Sequence, residues 1–233
     1  DDAGNLAWKL ALVQQGHAGE ALLDSYSMAR VLATRENIAY GAKSPEFMAP
    51  PHHGFALMRE AALRLATVAP GVRSLINPRQ SSPIEYVDSP LNQPEHAGAF
   101  TGGARVGLPA PEAQLQTVRG PAHLTTLFGS CLVALYFSSE PSMPAALQRL
   151  PGAARVDVAR LRLVRVAARG APDADTVVDD LEQAWQRYDA VEGTLYLIRP
   201  DGYVLGRWRD AAAAIGLIAA ALASVLSGER TYE

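Results

Sequence analysis

Residues 193–208 read Gly-Thr-Leu-Tyr-Leu-Ile-Arg-Pro-Asp-Gly-Tyr-Val-Leu-Gly-Arg-Trp, and this stretch decides the fold expected for the second half of the chain. Two runs rich in aromatic and branched side chains flank the Pro-Asp-Gly sequence at 200–202, whose residue types favour tight turns. We therefore predict a β-hairpin with strands over 193–199 and 203–208.

The sequence before this hairpin carries strand and helix signals in alternation. The continuous apolar run 131–137 predicts a strand that is covered on both faces. Pro144 suits the first turn of a helix that includes Leu147 and Leu150. Alternation of apolar and charged residues over 156–166 predicts one or two strands with one solvated face.

Two further helices are expected on either side of the hairpin. Residues 173–188 predict an amphipathic helix, because acidic residues at its start match the helix dipole. Residues 211–226 are almost entirely apolar, but they fall short of the roughly 20 residues that a membrane span needs, and they are rich in alanine. We therefore predict a buried closing helix there.

A β-α-β unit, a helix, a β-hairpin and a last helix follow one another in the order of a thioredoxin-like fold. The predicted fold class is α/β (α+β), an N-terminal helical segment followed by a thioredoxin-like domain that lacks the CxxC motif. The stretch 138–143, where dithiol enzymes carry their thiols, has no cysteine, and Cys131 is the only cysteine of the chain. We expect Cys131 to be a small buried side chain without redox activity.

The first third of the chain is expected to be helical. Leu6, Leu10 and Val13 recur at helical spacing, and Gly16 ends this first run. A second helix is predicted over 19–41, where a glycine again stops it.

A third helix is predicted after the Pro-Pro break at 50–51, with the buried positions Phe55, Met58, Leu63 and Leu65. Residues 77–111 hold most of the turn-forming proline and glycine, which indicates a linker. The predicted domains are a helical segment over 1–76, the linker over 77–111 and the thioredoxin-like domain over 112–233.

The first ten residues, Asp-Asp-Ala-Gly-Asn-Leu-Ala-Trp-Lys-Leu, resemble the DA-x-NL-x-WKL helix of the flavin-dependent aromatic hydroxylases. In that family this helix closes the FAD-binding domain, and its N-terminus offers unpaired amides to the flavin. The resemblance implies that Asp2 and Asn5 are the cofactor-binding remnant of an FAD-proximal helix start. No initiating Met precedes them, so we expect the C-terminal part of a larger protein, with 1–76 as a remnant of the FAD and substrate domains.

The hairpin sequence 197–204 resembles the RPDGY segment of the thioredoxin-like C-terminal domain of the same family, and 86–91 resembles its connecting segment. The resemblance implies an intact FAD-dependent monooxygenase that hydroxylates aromatic rings with NAD(P)H and oxygen. The Gly-rich dinucleotide fingerprint is missing from this chain. We therefore expect no FAD bound to this chain, no catalytic residue in it, and a structural or subunit-contact role for this piece.

Composition and spacing restrict the partners. A net charge of -3 gives no argument for nucleic acid or for an anionic membrane. His52 and His53 have no acidic or thiol partner at ligand spacing, so no metal site is expected. The expected partner is the rest of the parent flavoprotein or a second subunit, a homodimer included, in the cytoplasm.

Other functions fit parts of the sequence. The alternative function is a stand-alone thioredoxin-like protein-interaction module without redox activity, which a start codon just before Asp1 would favour. A thiol oxidoreductase would need activity that depends on Cys131. The sequence leaves open which aromatic ring is the substrate and whether NADH or NADPH is the reductant.

Overall fold

A computed structural model describes residues 2–76, 83–95, 99–154 and 160–227. The chain forms two compact units, one made of 1–28 with 85–233 and the other of 29–84. The predicted division into 1–76, 77–111 and 112–233 stays a prediction.

The helices within the described residues are α1 Asp2–Gln14, α2 Ala21–Met48, α3 His53–Val68, α4 Arg73–Ile76, α5 Ala145–Gln148, α6 Leu150–Ala153, α7 Gln183–Arg187 and α8 Ile215–Ser227. The strands are β1 Gln114–Thr117, β2 Gly120–His123, β3 Leu132–Phe137, β4 Leu161–Ala167, β5 Thr176–Val178, β6 Leu195–Ile198 and β7 Val204–Trp208. None of the described helices is both long enough and apolar enough to cross a membrane.

The strands form one mixed, mostly antiparallel sheet of seven strands in the order β2-β1-β5-β4-β3-β6-β7. β3 pairs with β4 in parallel and with β6 in antiparallel fashion, and β4 pairs with β5 in parallel. The remaining neighbours pair antiparallel. The fold class is therefore α+β, which agrees with the predicted class.

The central strand β3 is buried along its whole length, which confirms the strand predicted from its apolar run. Alternate side chains point to opposite faces of a strand, so β3 contributes to two hydrophobic clusters. One face carries Leu132, Ala134 and Tyr136 into a cluster shared with α1 and α8. The other face carries Val133, Leu135 and Phe137 into a cluster shared with α7.

The predicted hairpin is confirmed, since β6 and β7 are adjacent, antiparallel and joined by the turn at 199–203. The backbone N–H of Arg199 donates to the carbonyl of Tyr203 at 2.9 Å. Gly202 has a φ of 82°, in the left-handed region that favours glycine. The predicted closing helix is also confirmed, because Ile218, Leu222 and Val225 of α8 are buried.

The amphipathic helix predicted over 173–188 is wrong. Residues 176–178 form the short strand β5, because the branched side chains of Val177 and Val178 fit a buried position beside β4. Helix α7 begins only at Gln183, after Glu182 takes a left-handed φ of 54°.

The solvated face predicted over 156–166 is also wrong in its described part. Residues 155–159 lie outside the described residues, and β4 runs from Leu161 to Ala167. Arg162 is exposed, but Arg165 is buried and donates to the carbonyl of Glu140 at 2.8 Å. A strand between two parallel neighbours is covered on both faces, which overrides the alternation of charge.

Pro144 lies one position before α5, and the single helix expected after it is divided into α5 and α6.

The second helix continues beyond its predicted end at Gly41. Gly41 is not among the glycines with positive φ, so it does not form the left-handed cap that ends many helices. Helix α2 ends at Met48, just before the Pro-Pro pair at 50–51, because a residue that precedes proline disfavours the helical region.

The third helix has the predicted start but not the predicted buried face. Met58 is 60% exposed, Leu63 46% and Leu65 52%, and Phe55 is half-buried. Within its unit, the guanidinium of Arg59 donates to the carbonyl of Met48 at 3.2 Å and joins α3 to the end of α2. The side chains of Met58, Leu63 and Leu65 are therefore exposed and not buried.

Candidate functional site

Helix α1 turns an unexpected face towards the sheet. Its buried residues are Asn5, Trp8, Lys9 and Leu12, whose spacing of three and four places them along one side of a helix. The helix predicted from the spacing of Leu6, Leu10 and Val13 is confirmed, although Leu10 is 45% exposed. Two polar residues thus take positions where apolar residues are expected, and both need partners.

The turn between β6 and β7 supplies the partner of Asn5. The amide nitrogen of Asn5 donates to Asp201 Oδ2 at 2.9 Å. The same carboxylate accepts two bonds from the guanidinium of Arg199, Nε to Oδ1 at 2.9 Å and Nη2 to Oδ2 at 2.8 Å. The Arg199 side chain is 1% exposed and that of Asp201 5%, so this is a buried, bidentate ion pair.

Lys9 extends the same group of contacts. Its ammonium donates to Asn5 Oδ1 at 2.8 Å, so both polar atoms of the Asn5 amide are bonded inside the protein. The residue has no exposed surface, and its Nζ lies 5.6 Å from the ring centre of Trp8. We name Asn5, Lys9, Arg199 and Asp201 the α1–hairpin network.

Aromatic rings enclose the arginine of this network. The guanidinium of Arg199 lies 5.1 Å from the ring centre of Tyr203 and 5.8 Å from that of Tyr86, within range of cation–π attraction. Burial, followed by the neighbouring Tyr86 and the charge of Asp201, raises the pKa of Tyr203 to about 12. Tyr203 is therefore neutral near pH 7 and adds no negative charge beside Asp201.

A second ion pair fastens the connecting segment to the sheet. The guanidinium of Arg207 on β7 binds the carboxylate of Glu95 through two bonds, of 2.8 and 2.9 Å. Burial would raise the pKa of Glu95, but the hydrogen bonds from Arg207 and from the backbone N–H of Val106 outweigh it and hold that pKa below its ordinary value. Glu95 thus attaches the segment 85–95 to the sheet, although this segment contains no helix or strand.

The predicted cofactor-binding residues lie in different surroundings. Asp2 is exposed in the first turn of α1, where unpaired backbone amides favour a negatively charged or electron-rich group. Asn5 is buried, and its amide is occupied by Asp201 and Lys9. The proximity of either residue to a flavin stays a prediction.

Sequence reasoning missed Lys9, Arg199 and Asp201 as members of a site. The signal was present, because Lys9 follows Asn5 by four residues and shares the side of α1 that carries Trp8 and Leu12. The two sequence motifs that carry the family resemblance, at 2–10 and 197–204, meet in the α1–hairpin network.

Cys131, Ser138 and Ser139 flank the central strand β3. Cys131 is half-buried at the start of β3, with the hydroxyl of Ser130 at 3.8 Å from its sulfur. Ser138 and Ser139, which follow β3, both bond to the carboxylate of Glu192. No group of three His, Cys, Asp or Glu side chains among the described residues could hold a metal ion.

Comparison with known protein families assigns the chain. Residues 103–228, more than half of its length, match the family model described as aromatic-ring hydroxylase, C-terminal. The chain belongs to this family. Residues 1–39 also match the model of an FAD binding domain, so both ends that resembled these hydroxylases are confirmed as parts of them.

Curated relatives share this relationship over much of the chain. A 3-(3-hydroxy-phenyl)propionate/3-hydroxycinnamic acid hydroxylase of Mycolicibacterium vanbaalenii is 26% identical over 215 residues, which are 88% of this chain and 37% of the relative. An enzyme of the same name from Klebsiella pneumoniae is 35% identical over 103 residues, 44% of this chain and 17% of its own. The chain thus spans little more than a third of the first of these relatives.

Solved structures show the same fold. The flavin-dependent monooxygenase PieE, solved in complex with FAD and substrate, matches 97% of this chain and 43% of its own, with a TM-score of 0.67 and 21% identity. Aklavinone-11 hydroxylase, solved with FAD and aklavinone, matches 97% of this chain and 39% of its own, with a TM-score of 0.57 and 24% identity. FAD is therefore the cofactor of the flavoproteins that this chain resembles.

Proposed function

We propose that this chain is the C-terminal part of an FAD-dependent aromatic monooxygenase that uses NAD(P)H and oxygen. Three observations support the proposal: the matched family model over 103–228, the FAD binding domain model over 1–39, and relatives named as hydroxylases. FAD would supply the oxygen-activating chemistry when it is bound to the intact enzyme. The residues of this chain would support that chemistry without taking part in it.

The role proposed for this chain is to hold α1 in place. The observation that carries it is the buried bond from Asn5 to Asp201, which ties the helix to the turn of the β6–β7 hairpin. Asp2 fits a flavin-proximal position, since it is exposed in the first turn of α1. Asn5 would act one step away, by fixing the helix through an amide that is already occupied.

The fold proposed for the unit that contains the sheet is thioredoxin-like. Its support is the order β7-β6-β3-β4, in which β3 and β4 are parallel, with α5 and α6 between them along the chain, and β6 runs antiparallel to β3. The chain has one cysteine, so a dithiol pair cannot form within it. The proposed domain is therefore a structural relative of redox proteins and not a redox catalyst.

The unit 29–84 is proposed to contact the rest of the parent enzyme or a second subunit. Leu57, Met58, Leu65 and Val68 of α3 share one side of the helix, and each is at least half exposed. Contiguous exposed apolar side chains are typical of a surface that another protein covers. A homodimer would be one way of covering it.

The experiment is to express the complete open reading frame that contains this chain and to measure flavin in the purified protein. We expect a longer protein with flavin absorbance and with NAD(P)H oxidation that is stimulated by a phenolic substrate. The Asp201→Asn variant should bind flavin less tightly, because the α1–hairpin network then has no carboxylate for Arg199. The Asp88→Asn variant, on an exposed turn, is the matched control.

An open reading frame no longer than 233 residues would contradict the proposal and would favour the stand-alone interaction module. A longer protein that purifies without flavin, and cannot be loaded with it, would contradict it as well. The comparisons do not favour that module, because residues 1–39 match an FAD binding domain model.

A further inference from the structure

The turn of the β6–β7 hairpin contains a sequence that is prone to a slow chemical change. Asp201 is the only aspartate or asparagine of the chain that a glycine follows. In such a pair the backbone nitrogen of the glycine can attack the carboxyl carbon of the aspartate, because glycine has no Cβ to shield its nitrogen. A cyclic succinimide results, and water then converts it to aspartate or to isoaspartate.

Every atom of this reaction comes from the two residues and from water. A bond forms between Asp201 Cγ and the nitrogen of Gly202, while the proton of that nitrogen and the hydroxyl of the carboxyl group leave together as water. A second water then opens the ring. When it adds to the main-chain carbonyl carbon of Asp201, the chain continues through Cγ, which is isoaspartate. No electrons are transferred, so neither an oxidant nor a reductant is needed.

The folded structure hinders the first step at both reacting groups. The N–H of Gly202 donates to the carbonyl of Arg199 at 2.9 Å, so the proton that has to leave is held in a hydrogen bond. The carboxylate of Asp201 accepts two bonds from Arg199 and one from Asn5. Ring closure moves this carboxyl group, so these bonds have to break first. The Asp201 side chain is also only 5% exposed, which restricts the access of water.

Helix α1 contributes the restraint that can be removed while the hairpin stays folded. Arg199 lies two residues from Asp201 in the same turn, whereas Asn5 lies 196 positions away. Release of α1 removes the bond from Asn5 but none of the bonds that pair β6 with β7 and with β3. Local release of one element costs less free energy than global unfolding, so it occurs more often.

We propose that Asp201 is a site of isoaspartate formation that the docked helix α1 protects, and that the reaction proceeds when α1 leaves the hairpin. All the residues involved belong to one compact unit, 1–28 with 85–233, and the proposal does not depend on the function proposed for the parent enzyme. Its test uses neither flavin nor aromatic substrate, so its failure and the failure of that function can be told apart.

Isoaspartate at this turn prevents α1 from docking again. Its main chain is one carbon longer and its carboxylate is attached to Cα, so the group that Arg199 and Asn5 bind is displaced. The Arg199 side chain is 1% exposed and loses its carboxylate partner, and an uncompensated buried charge is strongly destabilising. Detachment of α1 therefore becomes permanent in the modified chains.

Isoaspartate is measured in the purified chain during incubation at neutral pH. Enzymatic methylation of isoaspartyl carboxylates quantifies it, and fragmentation of the digested protein by electron transfer assigns it to position 201. A synthetic peptide of residues 193–208 gives the rate for the same turn without α1. We expect the folded chain to isomerise at least about tenfold more slowly than the peptide, because ring closure has to await local opening.

Three variants separate release of α1 from a general loss of stability. Asn5→Ala should raise the isomerisation rate by about tenfold, because a lost bond to a charged partner makes release of the helix about that much more frequent. Gln14→Ala removes an exposed amide from the same helix and should leave the rate unchanged. Glu95→Gln breaks an ion pair elsewhere in the unit and should raise the rate less than Asn5→Ala does.

Trypsin cleavage after Lys9 measures the release of α1 in the same samples. Lys9 has no exposed surface, so cleavage there requires that the helix leave the hairpin. Asn5→Ala should raise this cleavage rate together with the isomerisation rate. Wild-type chains that carry isoaspartate should be cleaved faster than wild-type chains that do not.

Circular dichroism establishes that each variant is folded, and Asn5→Ser, which keeps a hydroxyl beside Lys9, replaces Asn5→Ala if the latter is not. Faster isomerisation in the Asn5 variant than in both controls, with faster cleavage after Lys9, supports the proposal. Equal rates in the folded chain and the peptide overturn it, as does an Asn5 variant that isomerises no faster than the wild type. Equal acceleration by the Asn5 variant and Glu95→Gln overturns it too, since the turn then reacts only through general unfolding.

Discussion

Asp201 is the residue on which the contacts of α1 depend. Its carboxylate accepts two hydrogen bonds from Arg199, whose side chain is 1% exposed, and one from the amide of Asn5. An uncompensated buried charge costs several kcal/mol, so a carboxylate at this turn is required once Arg199 is buried. The Pro-Asp-Gly sequence therefore serves both the turn and the attachment of α1.

The ion pair between Glu95 and Arg207 should make the stability of the protein depend on pH. Its folded pKa is lowered, so the ion pair with Arg207 stabilises the protein above the ordinary glutamate pKa of about 4.3, and this stability is lost as the pH falls through the folded pKa. We expect Glu95→Gln to lower the free energy of unfolding by about 2 kcal/mol at neutral pH. The difference from the wild type should shrink at an acid pH below the folded pKa of Glu95, where this carboxyl is protonated in both the folded and the unfolded state.

Urea unfolding at the two pH values measures this difference. Glu60→Gln is the control, because Glu60 pairs with Arg64 on an exposed helix surface, 2.6 Å apart, where such pairs contribute about 0.5 kcal/mol or less. A Glu95→Gln loss that is the same at both pH values would contradict the assignment of the lowered pKa to this ion pair.

At the scale of elements, the sequence predicts correctly those helices and strands whose formation depends on neighbouring residues. The hairpin, the buried strand β3 and the closing helix follow from the turn residues, the apolar run and the length of the alanine-rich segment. The helix over 173–188 was wrong because β5 forms between the edges of β4 and β1, and its partner Gln116 on β1 lies 62 positions from Val178. The burial of Asn5 and Lys9 on α1 could not be predicted for a similar reason, because Lys9 binds Asn5 and Asn5 binds Asp201, 196 positions away.

Two glycines distinguish turn geometry from helix propensity. Gly202→Ala should destabilise the protein by about 1 kcal/mol, because its φ of 82° is strained for any residue with a Cβ. Gly4→Ala should stabilise it by about 0.5–1 kcal/mol, because Gly4 lies in α1 and an added Cβ meets no atom within 4 Å. Thermal unfolding of the two variants checks both signs, and a shift in the same direction would contradict the account of one of them.

At the scale of the whole molecule, the sequence motifs identified the family, but they could not show that the two motifs touch. That contact joins residues 196 positions apart, and no local pattern encodes it. Of the α1–hairpin network, the sequence singles out only Asn5, as a flavin-proximal residue, and it assigns Arg199 and Asp201 to the hairpin alone.

The exposed side of α3 gives a prediction about assembly. We expect the purified chain to self-associate as its concentration rises, and Leu57→Asp to weaken that association, because Leu57 is 54% exposed among other apolar residues. Sedimentation velocity measures the effect. Val118→Asp is the control, since Val118 is 63% exposed in the turn between β1 and β2. Equal weakening by both variants would count against α3 as the contact surface.

The attachment of α1 to the hairpin is tested most directly by a double-mutant cycle between Asn5 and Asp201. Asn5→Ala, Asp201→Asn and the double variant are compared with the wild type by their free energies of unfolding in urea. The predicted coupling energy is about 1–2 kcal/mol, because a buried bond to a charged partner joins the two side chains. Additive single effects, with coupling within about 0.3 kcal/mol of zero, would contradict the claim that this network holds the helix.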